Sequence, residues 1–266
     1  MKKIIKKSAK KLSVPLALFL VFSGLVSGLY YRNKKRNEPP RPIPYENIAE
    51  LGGEIERLEA VEKEKGITWQ DGYRLGMAYL YTRRDRDAVR TLAEVIRLRP
   101  GFSVAYESLG MAYYRLGDFE KAKDVWEKSP GVDTPGGEHI RELIGRAEKK
   151  IGYKKRALQL EKIIGEGNAA WEKRYELSTL YIGLGRLKDA VVTLEEAEKE
   201  SPRSPELYDT LAQVYAMEGD FEKAVKAERK ALALKPGDEA IRGRLAEMER
   251  LKEALKKGGF HRQDKK

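Results

Sequence analysis

The sequence predicts an all-α protein, an array of stacked helix–turn–helix hairpins preceded by a single N-terminal transmembrane helix. Three observations lead there. Tyr79, Tyr113, Tyr181 and Tyr215 lie 34 residues or twice that distance apart, and Ala88, Ala122, Ala190 and Ala224 repeat the same spacing. Gly117, Gly185 and Gly219, and Pro100, Pro202 and Pro236, fall on multiples of that period. Residues 14–31, VPLALFLVFSGLVSGLYY, form an uncharged apolar run between two basic clusters. A fixed period of this length marks a supersecondary unit that cannot bury its apolar side alone and must stack on its neighbours.

The N-terminal run is taken first. Eighteen residues at ~1.5 Å per residue reach ~27 Å, close to the thickness of a bilayer core. Tyr30 and Tyr31 stand at its far edge, where amphipathic rings favour the interface. An uncleaved signal anchor is favoured over a signal peptide cut after Val26-Ser27-Gly28, since the run is long and a basic cluster follows at once. The chain has no Cys, so a lipid-modified Cys is excluded, as are disulfides, thiolate metal sites and a Cys nucleophile. Six Lys precede the run and five basic groups follow it through Arg41, which favours a cytoplasmic N-terminus and a periplasmic or otherwise extracytoplasmic repeat domain. Gly24 and Gly28 place small residues on one helix face, where two spans could pack as a weak homodimer. Small residues are also simply common in spans, and that reading is preferred.

Charge sharpens the division. Residues 1–44 hold eight Lys and three Arg against Glu38, while the remaining 222 residues hold 42 basic and 41 acidic groups. The overall +11 therefore flanks the apolar run, where anionic lipid is its natural partner, and a nucleic-acid role loses its main support. Residues 38–44, EPPRPIP, favour an extended spacer between membrane and array.

Within each hairpin every recurring residue has a physical task. Leu75-Gly76 and Leu109-Gly110 put a bulky group and a gap on one face of the first helix. Tyr79 and Tyr113 fill the groove a turn later. The turn Gly ends the first helix in the left-handed region, which Gly enters without steric cost. The recurrent Ala sits where helices cross, and Pro follows the second helix, which it cannot continue. Arg83 stands where a turn Gly is expected.

This pattern resembles the tetratricopeptide repeat family, whose unit is a 34-residue helical hairpin. Residues 103–136 carry Tyr106, Leu109, Gly110, Tyr113, Gly117, Asp118, Phe119, Ala122 and Trp126; residues 205–238 carry Tyr208, Leu211, Ala212, Tyr215, Gly219, Asp220, Phe221, Ala224, Ala231 and Pro236. Residues 69–102 and 171–204 match through Leu75, Tyr79, Ala88 and Leu92, and through Leu177, Tyr181, Ala190 and Leu194. The resemblance implies a right-handed α-solenoid. The expected order is a basic flank (1–13), the span (14–31), a basic Pro-rich linker (32–44), a capping helix or half-repeat (45–66), five units (69–102, 103–136, 137–170, 171–204, 205–238), a capping helix (239–257) and a disordered basic tail (258–266). The middle unit is degenerate, with its turn slipped to Gly152.

Chemistry has few candidates. Phosphate-loop patterns GxxxxGK[ST] and GxGxxG are absent, and His139 and His261 lie far apart in sequence. Carboxylates alternate with Lys, as in Glu195-Glu196-Ala197-Glu198-Lys199-Glu200, the pattern of a solvated face. No cofactor, metal site or catalytic activity is expected. The resemblance implies that the first helices line a concave groove for protein segments. Periodicity directs Tyr73, Met77, Leu80 and Tyr81 into it from the first unit, Met111, Tyr114 and Arg115 from the second, Arg141 and Lys149 from the third, and Tyr175, Thr179 and Ile182 from the fourth. Tyr73, Met77 and Ser108 occupy the places where carboxylate-clamp members of the family use Lys and Asn, so that role is rejected. The expected function is a membrane-anchored scaffold for assembling a cell-envelope complex. The alternative is a holdase-like chaperone for translocated chains, with nucleic-acid binding behind both.

Overall fold

A computed structural model describes residues 48–167 and 170–257. The expected transmembrane segment 14–31, with Gly24 and Gly28, the linker 32–44 and the tail 258–266 lie outside the described residues. No helix among the described residues is long and apolar enough to cross a membrane. Those residues form eleven α-helices and one short 3-10 turn, with no strand. The chain divides into two units, residues 1–100 and 101–266.

The first unit contains α1 (Ile48–Lys65), α2 (Trp69–Tyr81) and α3 (Asp85–Leu98). Leu51, Ile55 and Leu58 recur at helical spacing on α1, and all three are buried. Thr68 caps α2 by accepting from the Asp71 amide at 3.1 Å. The α2–α3 turn requires a left-handed residue, and Arg83 supplies it at φ 62°. Glycines occupy the equivalent turns of the second unit, at φ 81° for Gly117, 78° for Gly185 and 81° for Gly219.

The second unit runs α4 (Ser103–Arg115), α5 (Phe119–Glu127), the 3-10 turn Pro135–Gly137, α6 (Glu138–Gly165), α7 (Trp171–Leu184), α8 (Leu187–Glu200), α9 (Pro205–Glu218), α10 (Phe221–Leu234) and α11 (Glu239–Lys257). Within this unit each helix packs mainly on its neighbours in the chain, as stacked hairpins require. The recurrent Ala122, Ala190 and Ala224 have no exposed surface. Gly110 is needed for a close approach: a Cβ there would lie 2.2 Å from Trp126 Nε1. That indole is fully buried and donates to the Glu107 carbonyl at 3.1 Å.

The recurrent Tyr does more than fill space. The hydroxyls of Tyr79, Tyr181 and Tyr215 each donate at 2.6 Å to a carboxylate 20 residues earlier, on Glu59, Glu161 and Glu195. Arg84 and Arg186 stack over Tyr79 and Tyr181 at 4.4 and 4.2 Å, and Lys223 lies 5.3 Å from Tyr215. Burial, then the carboxylate bond, pushes the Tyr181 hydroxyl up to about 12 and those of Tyr79 and Tyr215 higher still. At any working pH these phenols keep their protons, so the bond is a permanent stitch from one hairpin to the helix before it.

The sequence departs from the structure most at α6. A hairpin turning at Gly152 is expected, whereas Glu138–Gly165 is one helix of 28 residues. Two reasons are local. Gly within a helix costs only ~1 kcal/mol relative to Ala, and the segment 150–156, KIGYKKR, offers no Ser, Thr, Asp or Asn to cap a second helix. The third is packing. Leu143 and Ala147 join Ala122 and Trp126 in one apolar cluster, with Ile140 and Ile144 against it. Ala157 and Leu160 join Leu177, Tyr181 and the helices beyond in another, with Ile164 against it. At ~100° per residue these two apolar stripes lie about 100° apart around the helix axis. The phase slip that resembles a turn is one helix changing faces between two clusters. Upstream, Pro130 and Gly131 (φ 84°) follow an α5 of nine residues, against fourteen for α8 and α10.

At the C-terminus Ile241 and Met248 of α11 are buried, whereas Leu251 and Leu255 are 41% and 46% exposed. The apolar face drawn along residues 239–257 covers the preceding hairpin only through its first part.

Candidate functional site

The expected groove residues fall in both units, and each unit is described by itself. Tyr73, Met77 and Tyr81 recur every four residues on one side of α2 and are half-buried. Leu80 is a correction: it is buried in the core at 6% exposure.

In the second unit the expected residues do not converge on one place. Met111 and Tyr114 of α4 pack against the cluster built on Ala122, Trp126, Leu143 and Ala147. The Tyr114 ring meets Phe119 edge-on at 5.1 Å and tilts over Trp126 at 6.0 Å. Burial raises its hydroxyl pKa, opposed by the Arg146 charge. Both side chains are half-buried, as Tyr175 and Ile182 are against their own cluster. Arg115 is half-buried. Arg141 turns away from a groove, because its Nη1 donates to the Val132 and Thr134 carbonyls and closes the 129–137 loop. Lys149 is exposed and lies 5.6 Å from the Tyr153 ring.

Tyr175 marks the face with the best binding geometry. Its hydroxyl shares a 3.0 Å hydrogen bond with Thr210, which links the first helices of two successive hairpins, α7 and α9. Trp171 stands 6.1 Å from the Tyr175 ring. Thr179 is exposed and Ile182 half-buried one and two turns on. On α9, Thr210, half-buried Gln213 and Met217 share the corresponding side, and Met217 is 60% exposed. The face thus combines two aromatic rings, three hydroxyls, an amide and a thioether. Tyr and Met are enriched in interface cores, and Met adapts to irregular partners.

Thr210, Gln213 and Met217 are absent from the expected set. The signal for Gln213 was present, since it lies 34 residues after Thr179. Met217 corresponds by the same offset to Gly183, so periodicity points there to a residue with no side chain. Among the described residues no group of three or more His, Asp or Glu is placed to hold a metal ion.

One polar centre joins α9, α10 and α11. Glu228 of α10 is fully buried and accepts from Arg244 of α11 at 3.1 Å, while Arg244 also reaches Asp209 of α9 at 2.5 Å. Burial first, then the Asp209 charge, pushes the Glu228 carboxyl up to about 7 against the pull of Arg244. The triad ties three helices together.

Hairpins of two helices on a 34-residue period, with Gly-Leu-Tyr packing in the first helix and a buried Ala in the second, define a helical repeat protein. A sequence profile described as tetratricopeptide repeat matches residues 73–125 and 175–239. Those two stretches carry tetratricopeptide repeats. The two matched stretches flank the long α6. Superkiller protein 3 of Schizosaccharomyces pombe is 22% identical over 189 residues, 67% of this chain and 14% of that protein. General transcription factor 3C polypeptide 3 of Homo sapiens is 28% identical over 138 residues, 50% of this chain and 14% of that protein. The chain thus spans 14% of the length of these curated relatives. Among solved structures, a tetratricopeptide repeat protein from Parabacteroides merdae is 15% identical at a TM-score of 0.36, covering 75% of this chain and 78% of that one.

Proposed function

We propose that this chain is a non-catalytic scaffold that holds an extended segment of a protein partner against the first-helix face of α7 and α9. The observation that carries the reading is the exposed Met217, two turns along α9 from the Tyr175–Thr210 link, an apolar anchor on the same helix as oriented polar groups. Such a surface gains from covering the thioether and keeps hydrogen-bonding capacity for a peptide backbone. We further propose, from the apolar run 14–31 and its basic flanks, that the repeats are tethered at a membrane, facing away from the cytoplasm, and serve the assembly of an envelope complex.

The test uses the full chain with an affinity tag, crosslinked in membranes and purified. Met217→Glu and Tyr175→Ala should each lose the recovered partner while circular dichroism stays unchanged. Recovery of the same partner by both variants would refute the face. Suppression of aggregation of unrelated unfolded chains, with no discrete partner, would replace the scaffold by a holdase. Extraction of the chain from membranes by alkaline carbonate would refute the tether.

A further inference from the structure

The side of α10 turned toward α8 and α11 carries a second surface, unrelated to the one above. Two adjoining clefts of about 260 and 370 Å³ share Lys226 and Lys230 as lining residues. Tyr208, Leu211 and Tyr215 form part of the first, and Val225 and Ala233 part of the second. Lys223, Lys226, Arg229, Lys230 and Lys252 line the pair against two carboxylates, Glu198 and Glu222.

The cations are arranged. Lys223, Lys226 and Lys230 follow i, i+3, i+7 spacing, a single stripe ~10 Å long at 1.5 Å per residue. Lys230 lies 4.8 Å from the centre of the Tyr208 ring and 2.7 Å from Glu198. Lys223 lies 5.3 Å from the Tyr215 ring and 3.5 Å from Asp220. Lys252 reaches Glu222 at 3.4 Å and Arg229 reaches Glu249 at 2.6 Å. Lys226, in the middle of the stripe and in both clefts, has no ion pair within 4 Å among the described residues. Its charge acts on Glu198 without a direct ion pair, so an anionic group entering beside it would displace no contact within 4 Å.

We propose that this surface binds an acidic peptide segment that sets carboxylates at alternate positions on the lysine stripe. The stripe matches about three residues of extended chain at ~3.3 Å each, whose alternate side chains point to one side and set their carboxylates on the lysines. A nucleic-acid strand fits less well. Its charges are continuous, and Glu198 and Glu222 would oppose some of them, whereas a peptide can place apolar or amide groups there. Glu198 acts as an internal competitor, since it holds Lys230 in the absence of a guest.

The test measures fluorescence anisotropy of a fluorescein-labelled peptide of alternating Glu and Leu with the full chain in detergent micelles. Residues 1–44 are strongly basic and bind anions generally, so the readout is the difference between variants. Lys226→Ala should weaken binding about tenfold, the scale of one charge-assisted contact. Glu198→Gln, which frees Lys230, should strengthen it about threefold. Lys226 is exposed, and an unchanged melting curve checks that its variant is folded. Tyr175→Ala should leave the affinity unaltered. Equal affinity in wild type, Lys226→Ala and Glu198→Gln overturns the proposal. So does a Lys226 dependence seen with a short oligonucleotide or with phosphatidylglycerol vesicles but not with the peptide. A loss on Tyr175→Ala would move the peptide to the α7–α9 face and would equally refute this site.

Discussion

Replacing Glu228 by Gln should stabilise the second unit above neutral pH and do little below pH 5. Glu228 is fully buried, and its Oε2 has no hydrogen-bond partner among the described residues. Its carboxyl titrates near 7 in the folded chain against an ordinary 4.5. The folded state therefore binds this proton more tightly than the unfolded state. Between these two values the folded chain holds the extra proton, so stability falls as pH rises, and the loss is complete once pH passes the folded value. A shift of that size at ~1.4 kcal/mol per unit sets a ceiling of ~3 kcal/mol. The coupling to Asp209 and Arg244 spreads it, and we expect about 2 kcal/mol. Gln keeps the shape and an acceptor for Arg244 without the buried charge, while Asp209 still neutralises the guanidinium. Urea unfolding followed by circular dichroism at pH 5, 6, 7 and 8 measures this directly. The two proteins should match at pH 5, with Glu228→Gln ahead by about 2 kcal/mol at pH 8. Asp209→Asn should move the pH dependence to lower pH, because the charge opposing ionisation of Glu228 is gone. A wild type that gains on Glu228→Gln as pH rises would refute the reasoning.

Other outcomes follow from the same geometry. Gly152→Ala should raise stability by about 1 kcal/mol, since it improves helix propensity at an exposed site with nothing within 4 Å; a loss, read from the urea midpoint, would place a turn there. Arg83→Gly should gain up to about 1 kcal/mol by relieving a left-handed non-glycine residue, checked by the melting temperature. Trp126→Ala should cost about 3–5 kcal/mol, as a fully buried indole and its bond to the Glu107 carbonyl are lost. Gly110→Ala, which drives a methyl group into that indole, should be destabilising by about 1–3 kcal/mol in the same assay.

The repeat was legible because each of its marks has one local cause. Gly117, Gly185 and Gly219 mark left-handed turns, and Ala122, Ala190 and Ala224 mark crossings with no room for a larger group. The long α6 was not legible. Gly152 and a shifted apolar phase are what a turn and a two-faced helix have in common, and only the second cluster around Leu160 and Tyr181 separates them. Arg141 is expected on the first helix of a hairpin, whereas it lies on the undivided α6, and the direction of its side chain is decided by carbonyls of a loop whose fold the sequence does not specify. Glu228 reads as an ordinary surface charge between Ala227 and Arg229, and its burial exists only because α11 lies across it. Tyr175 is expected in the groove from its helical phase alone, whereas its link to Thr210 depends on how two hairpins stack.

The most direct measurement installs a photo-crosslinking amino acid in the full chain at Met217, on the α7–α9 face, and separately at Val192, 56% exposed on α8. Irradiation in native membranes should give a discrete crosslinked partner from position 217 and none from position 192. The same partner from both positions, or from 192 alone, would contradict recognition by the first-helix face.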